Sequence, residues 1–323
     1  MLCFRAAPSF RHAPRIGRTL LTRTFATIAP PSNNDSAQTS QVPLVEVTKT
    51  TKDYYAKENE LADYKSDVRT QLQQRDYISA KASARKALDL SLSHFTKNHP
   101  VTASCYSDLG LLNKELGDYD EAKDNYLRAS AIYEETVGKE HPSYATMINN
   151  LGWVFRRQSE SSDTRALDRI MLLEKALECF EECYKIRSEN LGEGHADTLQ
   201  VLGARGGVKL ARGEGREGEV DLRKAHELAR RVGDSCEASA AHNLAVLLKT
   251  RAVKEKKNKN IDVEAYFADA KRLYESALAW RIENLGEGAT PTIMTMSSLA
   301  ELKQTIEGED GGRDLWERIK KVL

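Results

Sequence analysis

The sequence predicts an all-α protein: a superhelical solenoid of about five helical hairpins that ends in a capping helix. Two observations support this prediction. Residues 96–110, TKNHPVTASCYSDLG, return 42 residues later as GKEHPSYATMINNLG at 138–152. RDYISA at 75–80 returns at the same spacing as GDYDEA at 117–122. Similarity at a fixed period of this length is typical of arrays in which each unit buries its apolar face against its neighbours.

Each unit is predicted to consist of two amphipathic helices. Apolar or small residues mark one face of the first helix, and this helix ends at Gly117, which suits the left-handed conformation after a helix. The face of the second helix is marked by residues at helical intervals: Ala122, Tyr126, Ala129, Ile132, Tyr133 and Val137. The two stretches therefore form a helical hairpin.

Small residues recur at one position of the first helix, namely Gly110, Gly152, Ala245 and Ala300. Glycine inside a helix costs about 1 kcal/mol relative to alanine, so another interaction must offset that cost. We expect close approach of the two helices, because a larger side chain there would hold away an aromatic residue such as Tyr126.

The later copies are less regular. Polar insertions interrupt the second and fourth copies at about 157–168 and 251–263. The third copy matches the pattern less well, because Arg205 and Gly206 replace the Leu-Gly pair and its turn contains several further glycines. We expect it to be the least stable hairpin. Residues 311–323, GGRDLWERIKKVL, are predicted to form the capping helix.

The order Leu109-Gly110, Ala122, Tyr126 and Ala129 resembles the tetratricopeptide repeat (TPR) signature. The longer unit, which opens with His-Pro and closes with Leu-Gly, is similar to the repeat of kinesin light chains. The resemblance implies that the first helices line a groove that binds an extended segment or helix of a partner protein.

The resemblance also implies which residues face that groove. They are polar, basic or aromatic residues just before or after the small position of the first helix: Asp108, Lys114, Asn149, Asn150, Trp153, Arg156, His242, Asn243 and Lys249. Peptide contact is expected at Asn150 and Asn243, in the steps Asn-Leu-Gly and Asn-Leu-Ala. Gly203 and Ala204 stand at the corresponding place in the third copy, which puts an uninterrupted groove in question.

No catalytic motif is recognisable, and we predict neither an enzyme nor a metal or cofactor site. His99, His141 and His195 recur where first helices begin, which favours a role in turns over metal or acid–base chemistry. Cys179 and Cys183 lie four residues apart on one helix. Because Cys183 occupies the position of Ala129, we interpret it as a small core residue rather than a zinc ligand.

The N-terminal segment differs in composition from the rest. Residues 1–25 contain five arginines and no acidic residue, which is typical of a mitochondrial transit peptide. A secretory signal would need one compact apolar stretch, and the arginines interrupt every such stretch. We expect the mature chain to start at Ala26, with a disordered leader over 26–52 and the TPR array over 53–323.

Charge and hydropathy give no sign of a nucleic-acid or membrane protein. The chain carries 48 basic and 48 acidic side chains and no apolar run long enough for a membrane-spanning helix. The segment KEKKNKN at 254–260 is interpreted as a solvated loop, with a docking site for RNA, cardiolipin or an acidic partner as the alternative.

The predicted function is a non-catalytic mitochondrial adaptor or assembly factor, in the matrix or on the matrix side of the inner membrane, which binds a protein or peptide in its groove. Two alternatives stay open. One is an RNA-associated or mitoribosome-associated repeat protein. The other is a peripheral inner-membrane assembly factor of a respiratory complex.

Overall fold

The computed structural model describes residues 44–162, 164–233, 235–256 and 262–322, where α-helix is the regular secondary structure throughout. The described residues fall into two compact units, which meet in sequence between residues 59 and 60. The predicted transit peptide, 1–25, lies outside the described residues. The first described helix begins at Leu44, and the bounds predicted for the leader, 26–52, and for the array, 53–323, stay predictions.

The described ranges contain twelve helices, which we number in chain order. They are α1 (Leu44–Gln73), α2 (Tyr77–His94), α3 (Pro100–Leu116), α4 (Tyr119–Val137), α5 (Pro142–Ser159), α6 (Ala166–Leu191), α7 (Ala196–Arg212), α8 (Gly215–Val232), α9 (Ser235–Lys254), α10 (Val263–Leu285), α11 (Thr290–Glu307) and α12 (Arg313–Val322).

Within residues 60–322 the helices pack as consecutive hairpins. α3 packs on α4, α5 on α6, α7 on α8, and α9 on α10, and each hairpin stacks on the next. Odd-numbered helices also contact each other, as α7 and α9 do, so they form one layer and the even-numbered helices form the other. The predicted solenoid is confirmed. With Val68 of α1 packed against Ala80 of α2, the array has six hairpins rather than about five.

The last hairpin pairs α11 with the 10-residue helix α12. Leu315 and Ile319 of α12 are buried in the same core cluster as Leu299 and Ala300 of α11. This short amphipathic helix covers the end of the core, as predicted for a capping helix.

Three histidines cap the helices that they precede. The Nδ1 atoms of His99, His141 and His195 accept hydrogen bonds from the backbone N–H two residues later, at 3.2, 3.1 and 3.2 Å. Pro100 and Pro142 follow at the first helical position, where no N–H is needed. The repeated His-Pro pair therefore has a structural role: the histidine caps the helix and the proline begins it.

The expected close approach of the helices occurs where the sequence indicates. A β-carbon on Gly110 would come within 2.9 Å of the ring of Tyr126, and one on Gly152 within 2.9 Å of the ring of Phe180. In the fourth copy Ala245 and Tyr274 are likewise buried. We call this contact of a small residue with a ring or side chain of the partner helix the seam.

The third copy keeps its seam in a tighter form. A β-carbon on Gly206 would lie 2.8 Å from Leu222, and one on Gly218 would lie 2.7 Å from the carbonyl oxygen of Gly206. The two backbones are in contact. Gly206 and Gly218, which depart from the repeat pattern in the sequence, occupy the positions of Gly110 and Ala122. That this hairpin is the least stable stays a prediction.

The two insertions lengthen helices of the even-numbered layer. α4 begins at Tyr119, three residues before the buried Ala122, whereas α6 begins at Ala166, ten residues before the equivalent Ala176. α10 also starts early, at Val263. None of the described helices is long and apolar enough to cross a lipid bilayer.

Candidate partner-binding groove

Asn150 of α5 and Asn243 of α9 occupy equivalent positions in the odd-numbered layer, each two residues before a seam residue. Both side chains are partly exposed. In the described part of the chain, neither side-chain amide makes a hydrogen bond to another residue. Each therefore presents a free donor and a free acceptor on the same layer of the array.

Asp108 is held by α1. Its Oδ2 atom lies 3.4 Å from Nζ of Lys65, which also donates a 2.5 Å hydrogen bond to Oγ of Ser104. Burial raises the pKa of the Asp108 carboxyl, and the positive charges of Lys65 and Arg69 oppose that rise. The carboxylate thus ties α1 to α3, and its charge is already balanced.

Lys114 and Arg156, the two basic candidates on α3 and α5, are mostly buried. Burial lowers the pKa of Lys114, while Glu115, 3.2 Å away, raises it. Nε of Arg156 donates a 2.8 Å hydrogen bond to Oε1 of Glu160, the residue that follows α5. Each cation therefore has a carboxylate partner close to it in sequence.

Three further candidates are engaged in packing or pairing. The ring of Trp153 packs edge-on against Phe180, with centroids 5.3 Å apart. Asn149 is buried, and its Oδ1 atom has no hydrogen-bond partner. Lys249 forms a 2.9 Å ion pair with Glu301, which joins α9 to α11.

His242, predicted to face the groove, is buried, so its side chain is not available for partner contact. Its side chain is 1% exposed, and its ring lies edge-on to Tyr274. Nδ1 lies 3.3 Å from Oγ1 of Thr295 on α11. Burial and the charge of Arg281 lower the pKa of His242 from 6.5 to about 3, so the imidazole is neutral at physiological pH.

The middle of the odd-numbered layer, where α7 lies, differs from α5 and α9. At the positions of Asn149 and Asn150, α7 carries the buried residues Gly203 and Ala204. No polar side chain continues the row of amides at these positions, so the two free amides are separated by one hairpin. The interruption of the groove at this hairpin stays a prediction.

Sequence reasoning missed two buried arginines that join consecutive hairpins. Arg187 donates to the carbonyl oxygen of Asp197 at 3.1 Å, and Arg281 donates to that of Pro291 at 2.8 Å. Each stands four residues after a small buried residue, Cys183 or Ala277. The shared position of the two arginines could have indicated them from the sequence. A buried guanidinium group needs several fixed hydrogen-bond acceptors, so an arginine that recurs at a core position suggests a structural role.

The cysteine pair is part of the packing. Cys183 is fully buried, as predicted, and burial raises the pKa of its thiol to about 11. Burial also raises the pKa of Cys179 to about 12. Thiols with such pKa values are unreactive at neutral pH. Among the described residues, no group of three or more His, Cys, Asp and Glu side chains is arranged to hold a metal ion.

The basic segment at 254–260 is described only in part. α9 ends at Lys254, and the side chains of Lys254 and Lys256 are exposed. Residues 257–261 lie outside the described ranges. The interpretation of this segment as a solvated loop stays a prediction.

Comparison with known proteins supports the repeat assignment. The sequence model of the tetratricopeptide repeat family matches residues 69–135 and 114–167. No curated protein sequence matches the chain significantly.

Solved structures give the same fold at low identity. A kinesin light chain protein of Podosopora anserina with nearly identical TPR-like repeats is 17% identical, covers 69% of this chain and 96% of its own, and has a TM-score of 0.50. BtubC (BKLC) from P. vanneervenii is 18% identical, covers 69% and 90%, and has a TM-score of 0.52. PilF of Pseudomonas aeruginosa is 18% identical, covers 83% and 94%, and has a TM-score of 0.50.

The repeated hairpins, the seams and these matches define a helical-repeat scaffold. Residues 69–167 are tetratricopeptide repeats, and the array as a whole has the fold of kinesin light chain-like TPR repeats.

Proposed function

We propose that the protein is a non-catalytic mitochondrial adaptor or assembly factor. Its odd-numbered helices hold an extended segment of one partner protein. The observation that carries this proposal is the pair Asn150 and Asn243, two partly exposed amides at equivalent positions whose hydrogen-bonding groups are unused within the described chain.

Such amides suit a peptide backbone. Each offers an N–H donor and a carbonyl acceptor, which match the C=O and N–H groups of an extended chain without demanding a particular side chain. The neighbouring charged candidates differ, because Asp108 is paired with Lys65 and Lys249 with Glu301. Binding through the amides would therefore leave these existing ion pairs intact.

The test is affinity purification from isolated mitochondria with the normal chain and with Asn150→Ala/Asn243→Ala. The matched control is Asn125→Ala/Asn284→Ala, which removes two amides from the even-numbered helices α4 and α10. We expect one partner to be lost from the groove variant and kept by the control. Identical partner lists from all three proteins would contradict the groove assignment.

The mitochondrial part of the proposal rests on the arginine-rich, acid-free composition of residues 1–25. A fusion of the full chain to a fluorescent protein should enter mitochondria and resist added protease. The fusion that starts at Ala26 should stay outside. Import of both fusions would remove this segment as the targeting signal.

A further inference from the structure

The lengthened start of α6 presents an apolar stripe to solvent. Leu167, Ile170 and Met171 are 76, 59 and 56% exposed. Their spacing of i, i+3 and i+4 puts them on one face of the helix. We call these three residues the α6 stripe. In hairpins without an insertion this part of the helix is missing, so the stripe is an added feature rather than part of the repeat.

The other lengthened helix, α10, has an extension that packs within the chain. The early residues Tyr266 and Phe267 of α10 pack against the core. The hydroxyl of Tyr266 also donates a 3.0 Å hydrogen bond to Glu219 of α8. The extension of α10 is thus accounted for by packing within the chain. The three side chains of the α6 stripe are exposed instead, and none of them belongs to a core cluster of the described residues.

Acidic residues continue the same face of α6. Glu174 and Glu178 follow the stripe at i+7 and i+11 from Leu167, and both are exposed. No lysine or arginine among the described residues forms an ion pair with either carboxylate. Among the cations of this part of α6, Arg165 pairs with Asp168, and Lys175 lies over the ring of Phe155. Arg169, two residues after Leu167, lies on the opposite face of the helix.

We propose that this face of α6 is a second docking surface, outside the groove, for an amphipathic helix of a partner protein whose apolar residues are followed by lysines or arginines. Three apolar side chains at helical spacing match the apolar stripe of such a helix. Two unpaired carboxylates beyond them match its basic end and fix its direction. A helix that was apolar throughout would leave these carboxylates unpaired.

Binding can be measured with defined probes. The first is a labelled helical peptide of about 18 residues with leucines at i, i+3, i+4 and i+7 and lysines along one end. The second carries glutamates in place of the lysines. Fluorescence anisotropy with the full chain should show binding of the lysine peptide and little binding of the glutamate peptide.

Two variants test the surface. Leu167→Ser/Ile170→Ser/Met171→Ser should weaken binding of the lysine peptide about tenfold or more, because it removes the apolar contacts. Glu174→Lys/Glu178→Lys should also weaken binding of that peptide and should gain binding of the glutamate peptide. The control Val220→Ser changes a residue on α8 that is 67% exposed and should bind like the normal chain.

Three results would overturn the proposal. One is unchanged affinity in the serine variant. Another is a glutamate peptide that binds the normal chain as well as the lysine peptide does. The third is self-association of the normal chain in sedimentation that the serine variant abolishes, since a second copy would then cover the stripe. The groove variant Asn150→Ala/Asn243→Ala should bind the lysine peptide normally, which separates this test from that of the groove.

Discussion

Gly110 lies so close to the ring of Tyr126 that a β-carbon on the glycine would stand 2.9 Å from ring atoms Cε1 and Cζ. The ring cannot move away easily, because Tyr126 is 1% exposed. The contact explains why a residue that disfavours helices stands in the middle of α3. The packing of the hairpin outweighs the local cost of glycine.

Gly110→Leu should lower the free energy of unfolding by about 3 kcal/mol, since it forces a large side chain against a ring that has no free space. Gly110→Ala should give a smaller loss, because the better helix propensity of alanine offsets part of the clash. Thermal melts of the purified proteins measure both effects. Gly288→Ala is the control, because a β-carbon there meets no atom within 4 Å. Equal melting temperatures for Gly110→Leu and the control would contradict the seam.

The seam shows why the fold could be predicted from the sequence. A period of 42 residues, small residues at one helical position and aromatic residues on the next helix are all local patterns. The third copy was harder to interpret, because Gly206 and Gly218 compensate for each other across the hairpin. That compensation depends on two backbones meeting in space, which a scan for Leu-Gly pairs does not detect.

Tyr126→Phe should leave stability unchanged or raise it by up to about 1 kcal/mol. The hydroxyl of Tyr126 is buried without a hydrogen-bond partner among the described residues, and burial raises the pKa of the group. Removing an unsatisfied polar group removes its desolvation cost.

Tyr144→Phe is the matched control for that prediction. The hydroxyl of Tyr144 lies 3.1 Å from Oε1 of Glu182 and donates to it, so its loss should cost about 1 kcal/mol. Chemical denaturation of both variants measures the difference. A destabilised Tyr126→Phe would indicate a partner for its hydroxyl, such as a bound water.

His242 should make the protein less stable as the pH falls from 7 to 5. Its folded-state pKa is lowered to about 3 from 6.5, so the unfolded chain binds a proton in this range while the folded chain does not. The neutral His242 ring contributes its full share to the free energy of unfolding above pH 6.5, and this share is lost as the pH falls toward 3. Proton uptake by the unfolded chain costs about 2 kcal/mol of stability between pH 7 and pH 5.

His242→Phe keeps a ring against Tyr274 but cannot titrate. Urea unfolding at pH 7 and pH 5 should therefore show a pH dependence about 2 kcal/mol smaller in this variant than in the normal chain. The other histidines are common to both proteins and cancel in the comparison. Parallel pH profiles would mean that His242 protonates freely in the folded state.

His242 also shows where prediction of the site from sequence fails. His242 and Asn243 are adjacent on α9, and the repeat pattern indicated both as groove residues. Adjacent helical residues point about 100° apart, and here only one of the two directions is partly exposed. The packing of Thr295 from α11 against the histidine decides which one, and that contact joins residues far apart in sequence.

His141→Ala should destabilise the protein by about 1 kcal/mol, because it removes the acceptor for the backbone N–H of Ser143 at the start of α5. His141→Asn should preserve stability, since asparagine is a favoured capping residue. Thermal melts of the two variants make the comparison. If both melt alike, the repeated histidine serves another purpose than capping.

Asp221 is almost fully buried between Arg205, at 2.6 Å, and Lys209, at 2.8 Å. Asp221→Leu alone should cost about 3 kcal/mol, because two cations would be left partly buried without their anion. Changing Arg205, Lys209 and Asp221 all to leucine should be neutral or stabilising, since apolar packing then replaces the whole ion cluster. Leu109 and Leu151 already fill the position of Arg205 in earlier copies, which shows that the seam accepts leucine there. Urea unfolding of the single and triple variants separates the two effects. A triple variant less stable than the single one would mean that the ion cluster itself stabilises this hairpin.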